Sequence, residues 1–490
     1  MNFSGSTRPP LRSDHKATTA ATTSSAMSRT YLSLLFTFVT LACADQQVLT
    51  QEPRNGVLRR FNIEAAVPQV LQAAQEYDLD VWHASRTFVD IYSPPNEPFL
   101  PKELADLPHT TTYLPTTPKA SIRPANTEWD VSSLENSTFH ESYHPLGEIE
   151  AFLGQLTATY PNTARRISLG ESAQGREIPA LTISTGGYAD EEEDGKKKKK
   201  KKPRRKKKSP IGQDGEKLGF VILGAQHARE WIATATSLYL AHALTVNASE
   251  PGSLSTLLKH FDFHFVPVPN PDGYDYTWET DRYWYKNRQV LGPYTKCLGL
   301  DMNRFELGKY FGYKWKPDSP DLTKNDTQKP REPSNPCSHW YPGTRPFESY
   351  EVNNIANWVN TLPNIVAFID LRSYGQMLSS PYSYTCKRLA KDAEDQIEAA
   401  LGASQALRAV HGTEFQTGSL CSMLYPAPGN ILDWMYAREA IKYSYVAHLR
   451  DTGTFGFSLP DKWIRPTGEE TTRLVDYLAR FIAKQAKRQF

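Results

Sequence analysis

The sequence predicts an α/β fold: a mixed, largely parallel sheet with helices on both faces, preceded by a small α+β unit. Three observations predict it. Between residues 129 and 490, short β-branched and aromatic runs alternate with long helical runs. One of these runs, GFVILGAQ, reads as a strand buried on both faces. Ahead of them, residues 45–108 carry their own shorter pattern of strands and a helix. A chain of 490 residues is too long for one small core and suits two domains.

In the first unit, VLRRFNIEA and RTFVDIYSP read as strands and VPQVLQAAQEY as a helix. Residues 109–128 are Thr/Pro-rich and read as a linker. In the second unit, HPLGEIEAFLGQLTATYP is helical, and ARRISLGES and REIPALTIST are strands. GFVILGAQ leads into WIATATSLYLAHAL, an expected amphipathic helix. FDFHFVPV, NIVAFIDL and IKYSYVAHL are further strands, with helices at ESYEVNNIANWVNTL and AKDAEDQIEAALGASQALRAVHG. The last helix is expected from Thr467, where T-G-E-E sets Glu470 at capping-box spacing.

The net charge of +2 hides a local asymmetry. Residues 190–194 are DEEED and residues 196–208 are KKKKKKKPRRKKK, a charged insertion expected to be a solvated loop. It gives no nucleic-acid reading, because nuclear localisation conflicts with a secretion signal. That signal runs over 27–44: Arg29, an apolar core, then Ala42-Cys43-Ala44 as a cleavage site. Residues 1–26 are a Ser/Thr/Ala-rich extension ahead of it. No later run has the 18 apolar residues of a transmembrane segment, so a soluble, secreted or vacuolar protein is expected. Oligomeric state is left open by the sequence.

Secretion makes the remaining cysteines, Cys297, Cys337, Cys386 and Cys421, candidates for two disulfides. Asn136, Asn247 and Asn325 head acceptor sequons for glycosylation.

The chemistry centres on GAQHAREW. His227 and Glu230 are three residues apart at a strand-to-helix junction, which predicts an imidazole and a carboxylate on one helix face. Such a pair can supply two ligands to one zinc ion. A second H-x-x-E, His411 to Glu414, has no such setting and reads as structural.

From about residue 138 onward the chain resembles the zinc metallocarboxypeptidases of the pancreatic A/B type. The landmarks are HAREW, NPDGY (270–274), DMNRF (301–305), SYGQMLSSPYSY (373–384), LYPAPGNILDW (424–434) and LRDTGTFGF (449–457). The resemblance implies a carboxypeptidase-like fold and a pro-domain at 45–108. It implies His227 and Glu230 as zinc ligands, with Asp301 orienting His227. Arg229, Asn303, Arg304, Ser373, Tyr374, Tyr425 and Leu432 are implied as the substrate-binding set for a peptide C-terminus. Cys297–Cys337 and Cys386–Cys421 are implied as disulfides.

Three positions depart from the family pattern. Arg372 stands where the third zinc ligand, a histidine, is expected; Asp370, two residues back, is a substitute to consider. His448 stands for the general-base glutamate, and Tyr285 for the oxyanion-stabilising arginine. An arginine has no lone pair to offer a metal. Base and oxyanion donor each contribute orders of magnitude to such a reaction. For the zinc cofactor two outcomes stand open: Arg372 pairs with Glu230 and no zinc binds, or His448 joins His227 and Glu230 as third ligand. The pattern is similar to that of fungal inactive metallocarboxypeptidase-like proteins linked to cell-wall organisation. The expectation is a non-enzyme, with a slow zinc carboxypeptidase or a peptide C-terminus binder as alternatives.

Overall fold

The chain's structure is a computed structural model that describes residues 56–97, 99–115, 128–185, 216–293, 295–303 and 335–488. The signal peptide, the extension before it, the charged insertion, Arg304 and Asn325 lie outside the described residues.

The first unit is a four-stranded sheet in the order β2-β3-β1-β4, with β1 Val57–Phe61, β2 Asp80–Ala84, β3 Val89–Ser93 and β4 Thr110–Tyr113. Helices α1 (Val67–Glu76) and α2 (Lys102–Ala105) accompany it. Val70, Val89, Ile91 and Leu104 are fully buried in its core. Two elements differ from expectation. β4 falls inside the segment read as a linker; its TTTY run pairs with β1 in antiparallel register, so the sheet extends past residue 108. β2 was not expected, because DVWHA mixes charge and aromatics without a clean period.

The second unit is an eight-stranded mixed sheet in the order β11-β10-β12-β9-β7-β8-β6-β5. The strands are β5 Ala164–Glu171, β6 Glu177–Ile183, β7 Leu218–Leu223, β8 Phe261–Val266, β9 Ile365–Arg372, β10 Met377–Ser380, β11 Gln416–Ser419 and β12 Tyr443–His448. The central strands β12, β9, β7 and β8 run parallel. Helices α3 (Leu146–Thr159), α4 (Trp231–Thr245), α7 (Ala393–His411) and α10 (Ile464–Arg488) contribute to the core on one face. α6 (Tyr350–Val359) and α9 (Ile431–Ala437) contribute to the core on the other. The short helices α5 (Pro271–Glu279) and α8 (Leu420–Met423) complete the set.

β7 shows why the sheet is covered twice. Phe220 and Ile222 enter one core, Val221 and Leu223 the other. Full burial of each large apolar side chain contributes roughly 1.5–3 kcal/mol relative to exposure.

α4 differs from the expected amphipathic helix. Every residue in it except Ala235 is buried, because the sheet and α10 cover both sides. α10 begins at Ile464, three residues before the expected Thr467. A 3-10 turn over Asp461–Trp463 leads into it, and Pro466 is tolerated in a first turn. Thr467 Oγ therefore bonds back to the Trp463 carbonyl at 2.6 Å, and Glu470 pairs with Arg450 instead of capping.

Candidate functional site

β7, β9 and β12 are neighbours, and their carboxyl ends converge on one cleft. Such strand ends are where open α/β sheets place ligand sites. β7 is followed by Gly224, where a Cβ would run into the Pro267 carbonyl, so only glycine fits the close approach of the two segments. The turn after it delivers His227, Arg229 and Glu230. Glu230 is the residue just before α4, with φ −85° and ψ 55°. His227 and Glu230 thus lie in a turn ahead of the helix rather than on its face, with His227 Nδ1 3.0 Å from Glu230 Oε1.

Arg372, the last residue of β9, enters this pair. Its Nε donates to Glu230 Oε2 at 3.0 Å, its Nη1 to Asp370 Oδ2 at 3.2 Å, and its Nη2 to Glu230 Oε1 at 3.3 Å. Nη2 also sits in hydrogen-bond contact with His227 Nδ1. His227 Nε2 meets Asp301 Oδ1 at 2.9 Å, the orienting bond that the resemblance implied. Gln226 Nε2 donates to Asp370 Oδ2 at 3.0 Å. Burial alone would raise the Glu230 carboxyl, but Arg372 and His227 together outweigh it and hold it down at about 2. Burial raises Asp370 to about 6 despite Arg372 beside it.

His448, the last residue of β12, is in parallel register with Arg372. Burial, then the neighbouring Arg372 charge, lowers its imidazole to about 3. Its Nδ1 is buried and makes no hydrogen bond among the described residues. The Tyr285 ring stacks on His227 at 3.7 Å between centroids, and Arg229 lies over the Tyr285 ring at 4.7 Å.

The expected zinc ion was tested against these residues. It needs lone pairs from His227 and Glu230, and both are engaged by guanidinium N–H groups. Asp370 is a partner of the same cation rather than a substitute ligand. His448 does not complete the site either: among the described residues, no group of three His, Cys, Asp or Glu is arranged to hold a metal ion. The residues do not fit the metal.

The rest of the expected binding set is dispersed around the cleft. Arg229, 1% exposed, is claimed by Asp80 of β2, with Nη1 to the two carboxylate oxygens at 3.0 and 2.7 Å. Burial pushes the Asp80 carboxyl up, but Arg229, with His339 and Trp82, keeps it below its ordinary value. Tyr374 donates to Asp90 Oδ2 of β3 at 2.7 Å, and burial followed by Asp90 pushes its phenol up. The Ser373 N–H reaches Glu230 Oε2 at 3.4 Å. Asn303 lines the cleft, yet its Oδ1 accepts from Ile431 N at 2.8 Å. Tyr425 lines it too. Leu432 does not: Asn430 caps α9 and turns Leu432 into a fully buried cluster with Leu420 and Val446. Leu420, Leu424 and Val446 supply the apolar wall instead.

Sequence reasoning missed the small sheet's share of the cleft. Val81, Trp82, His83 and Ala84 of β2 line it. Trp82 shares a core with Tyr283, Tyr374 and Phe457 of the larger unit. The only signal was the DVWHA run itself. The second H-x-x-E is structural as expected: His411 pairs with Glu469, and Glu414 with Arg408. Both disulfides, Cys297–Cys337 and Cys386–Cys421, are formed.

This fold and cleft define a carboxypeptidase-like α/β protein. The zinc carboxypeptidase family profile (peptidase M14) matches residues 149–474, and the chain belongs to that family. It is 33% identical over 471 residues to the inactive metallocarboxypeptidase ECM14 of Ajellomyces capsulatus, covering 87% of this chain and 72% of that protein. Among solved structures, thrombin-activatable fibrinolysis inhibitor is 28% identical with a TM-score of 0.67, covering 88% of this chain and 99% of that one. The bovine form of that inhibitor, in complex with tick carboxypeptidase inhibitor, is 32% identical with a TM-score of 0.57, covering 71% and 99%.

Proposed function

We propose that this chain is a secreted, non-catalytic member of the zinc carboxypeptidase family with a role in cell-wall organisation. One observation carries the non-catalytic reading. Among the described residues lining the cleft, Glu230 is the sole carboxylate, and Arg372 holds both of its oxygens. No carboxylate remains to take a proton from water. An imidazole lowered to about 3, as at His448, is a weak base at neutral pH, which argues against a slow enzyme using it. The relatives bearing the name inactive metallocarboxypeptidase support the same reading. Secretion rests on the signal at 27–44. The exposed Asn136 and Asn247 are accessible to glycosylation on that route. The cell-wall role rests on the resemblance to the fungal proteins.

A second reading, capture of a peptide C-terminus without cleavage, has its own support. The cleft pairs an apolar wall of Leu420, Leu424 and Val446 with the polar Arg229, Asn303 and Tyr425, the mixture a peptide end would meet.

The test is incubation of the purified full chain with C-terminally apolar peptides and zinc. No terminal residue is released under the proposal. Zinc-dependent release that disappears in His448→Ala contradicts it. Peptide binding without turnover, weakened in Arg304→Ala, favours the capture reading.

A further inference from the structure

We propose that Arg372 is a built-in cation in the place of a metal ion, so that the family's zinc centre is here a metal-free ion network. This goes beyond the absence of catalysis, because a protein without a general base can still hold zinc.

A metal in this site would use the His227 ring nitrogen not taken by Asp301, which is Nδ1. Arg372 Nη2 is already in contact with that nitrogen. It would use the Glu230 carboxylate as well, and Arg372 Nε and Nη2 take its two oxygens at 3.0 and 3.3 Å. A guanidinium presents its donors in a fixed planar fork, and here the fork meets three partners in three directions: Glu230, His227 and Asp370. Arg372 is 6% exposed, so solvent does not compete for these donors.

The network also supplies what a structural ion would. Gln226 ties the end of β7 to Asp370 of β9, Arg372 ties β9 to Glu230, and His227 continues to Asp301. The turn after β7, strand β9 and the segment that carries Asp301 are thus joined in one network. Zinc has no lone pairs left to bind, and it would have to enter beside a fixed guanidinium that repels it.

The inference is tested on the full chain by elemental analysis after incubation with excess zinc and desalting. Thermal melting is followed in parallel, with zinc or with EDTA. The wild type is expected to retain no zinc that depends on His227, so its zinc content matches that of His227→Ala. Its melting temperature is expected to be the same in zinc and in EDTA. Arg372→His removes the internal cation and offers an imidazole. That variant is expected to gain about one zinc per chain, the number a three-ligand site holds. It is also expected to melt higher in zinc than in EDTA. About one zinc in the wild type that is lost in His227→Ala overturns the proposal. A folded Arg372→His protein that gains no zinc also overturns it. If Arg372→His fails to fold, the comparison of wild type with His227→Ala still decides. None of these readouts depends on peptide turnover, so failure here and failure of the non-catalytic reading are distinguishable.

Discussion

Asp80 places both carboxylate oxygens on one guanidinium nitrogen of Arg229, at 3.0 and 2.7 Å. The pair joins the edge strand β2 of the small sheet to the turn that carries His227 and Glu230. Asp90 makes a second such link by accepting from Tyr374 at 2.7 Å. Trp82 fills the space between them against Tyr283 and Phe457. The small sheet is therefore part of the cleft's wall, and the arginine implied for substrate contact is already satisfied from within the chain.

Asp80→Ala leaves Arg229 buried and without its carboxylate. Removing one partner of a buried pair costs about 3–5 kcal/mol. Urea unfolding of the variant against wild type measures this. A loss below about 1 kcal/mol, the range of exposed pairs, would mean that Arg229 is solvated in the cleft.

Restoring a carboxylate at the base position does not restore catalysis alone. In His448→Glu, Arg372 still engages His227 and Glu230, so no activated water is generated. Release of a C-terminal residue stays at the level of the wild type in a peptide assay. Activity gained from this single change would show that Arg372 leaves the centre open.

Acid destabilises the fold in a defined window. Burial lowers His83, His242 and His264 from the ordinary 6.5 to about 4 each. The unfolded chain then binds more protons than the folded one between those values, so stability falls as pH drops from about 6.5 towards 4. Asp370 and Asp433, raised by burial to about 6, act in the opposite sense between 3.8 and 6. Asp451 and Asp461, also raised by burial, side with these carboxylates, while His140 and His448 side with the histidines, whose shifts are the larger. Urea midpoints measured from pH 7 to pH 4 should decline. A flat or rising series would contradict these burial effects.

The long apolar strands and the long helices were legible because their patterns are local. GFVILGAQ and NIVAFIDL announce themselves, and the helical runs 146–159 and 393–411 do the same. β10 and β11 were not legible. MLSS and QTGS are four-residue runs that become strands by pairing at the edge next to β12. Leu432 was placed on the cleft by its position in a motif, while the cap at Asn430 turns it away.

At the centre, the sequence named Arg372 as the departure and left its consequence open. The answer depends on register. β7 pairs Leu223 with Asp370, which sets Asp370 and Gln226 beside the guanidinium. No spacing along the chain reveals that three-way fit.

The most direct measurement is anomalous diffraction at the zinc absorption edge, from crystals of the full chain grown with excess zinc. Planar guanidinium density is expected between His227 and Glu230, with no anomalous peak there. A peak within about 2.0–2.2 Å of His227 Nδ1 and Glu230, with Arg372 swung away, would contradict it.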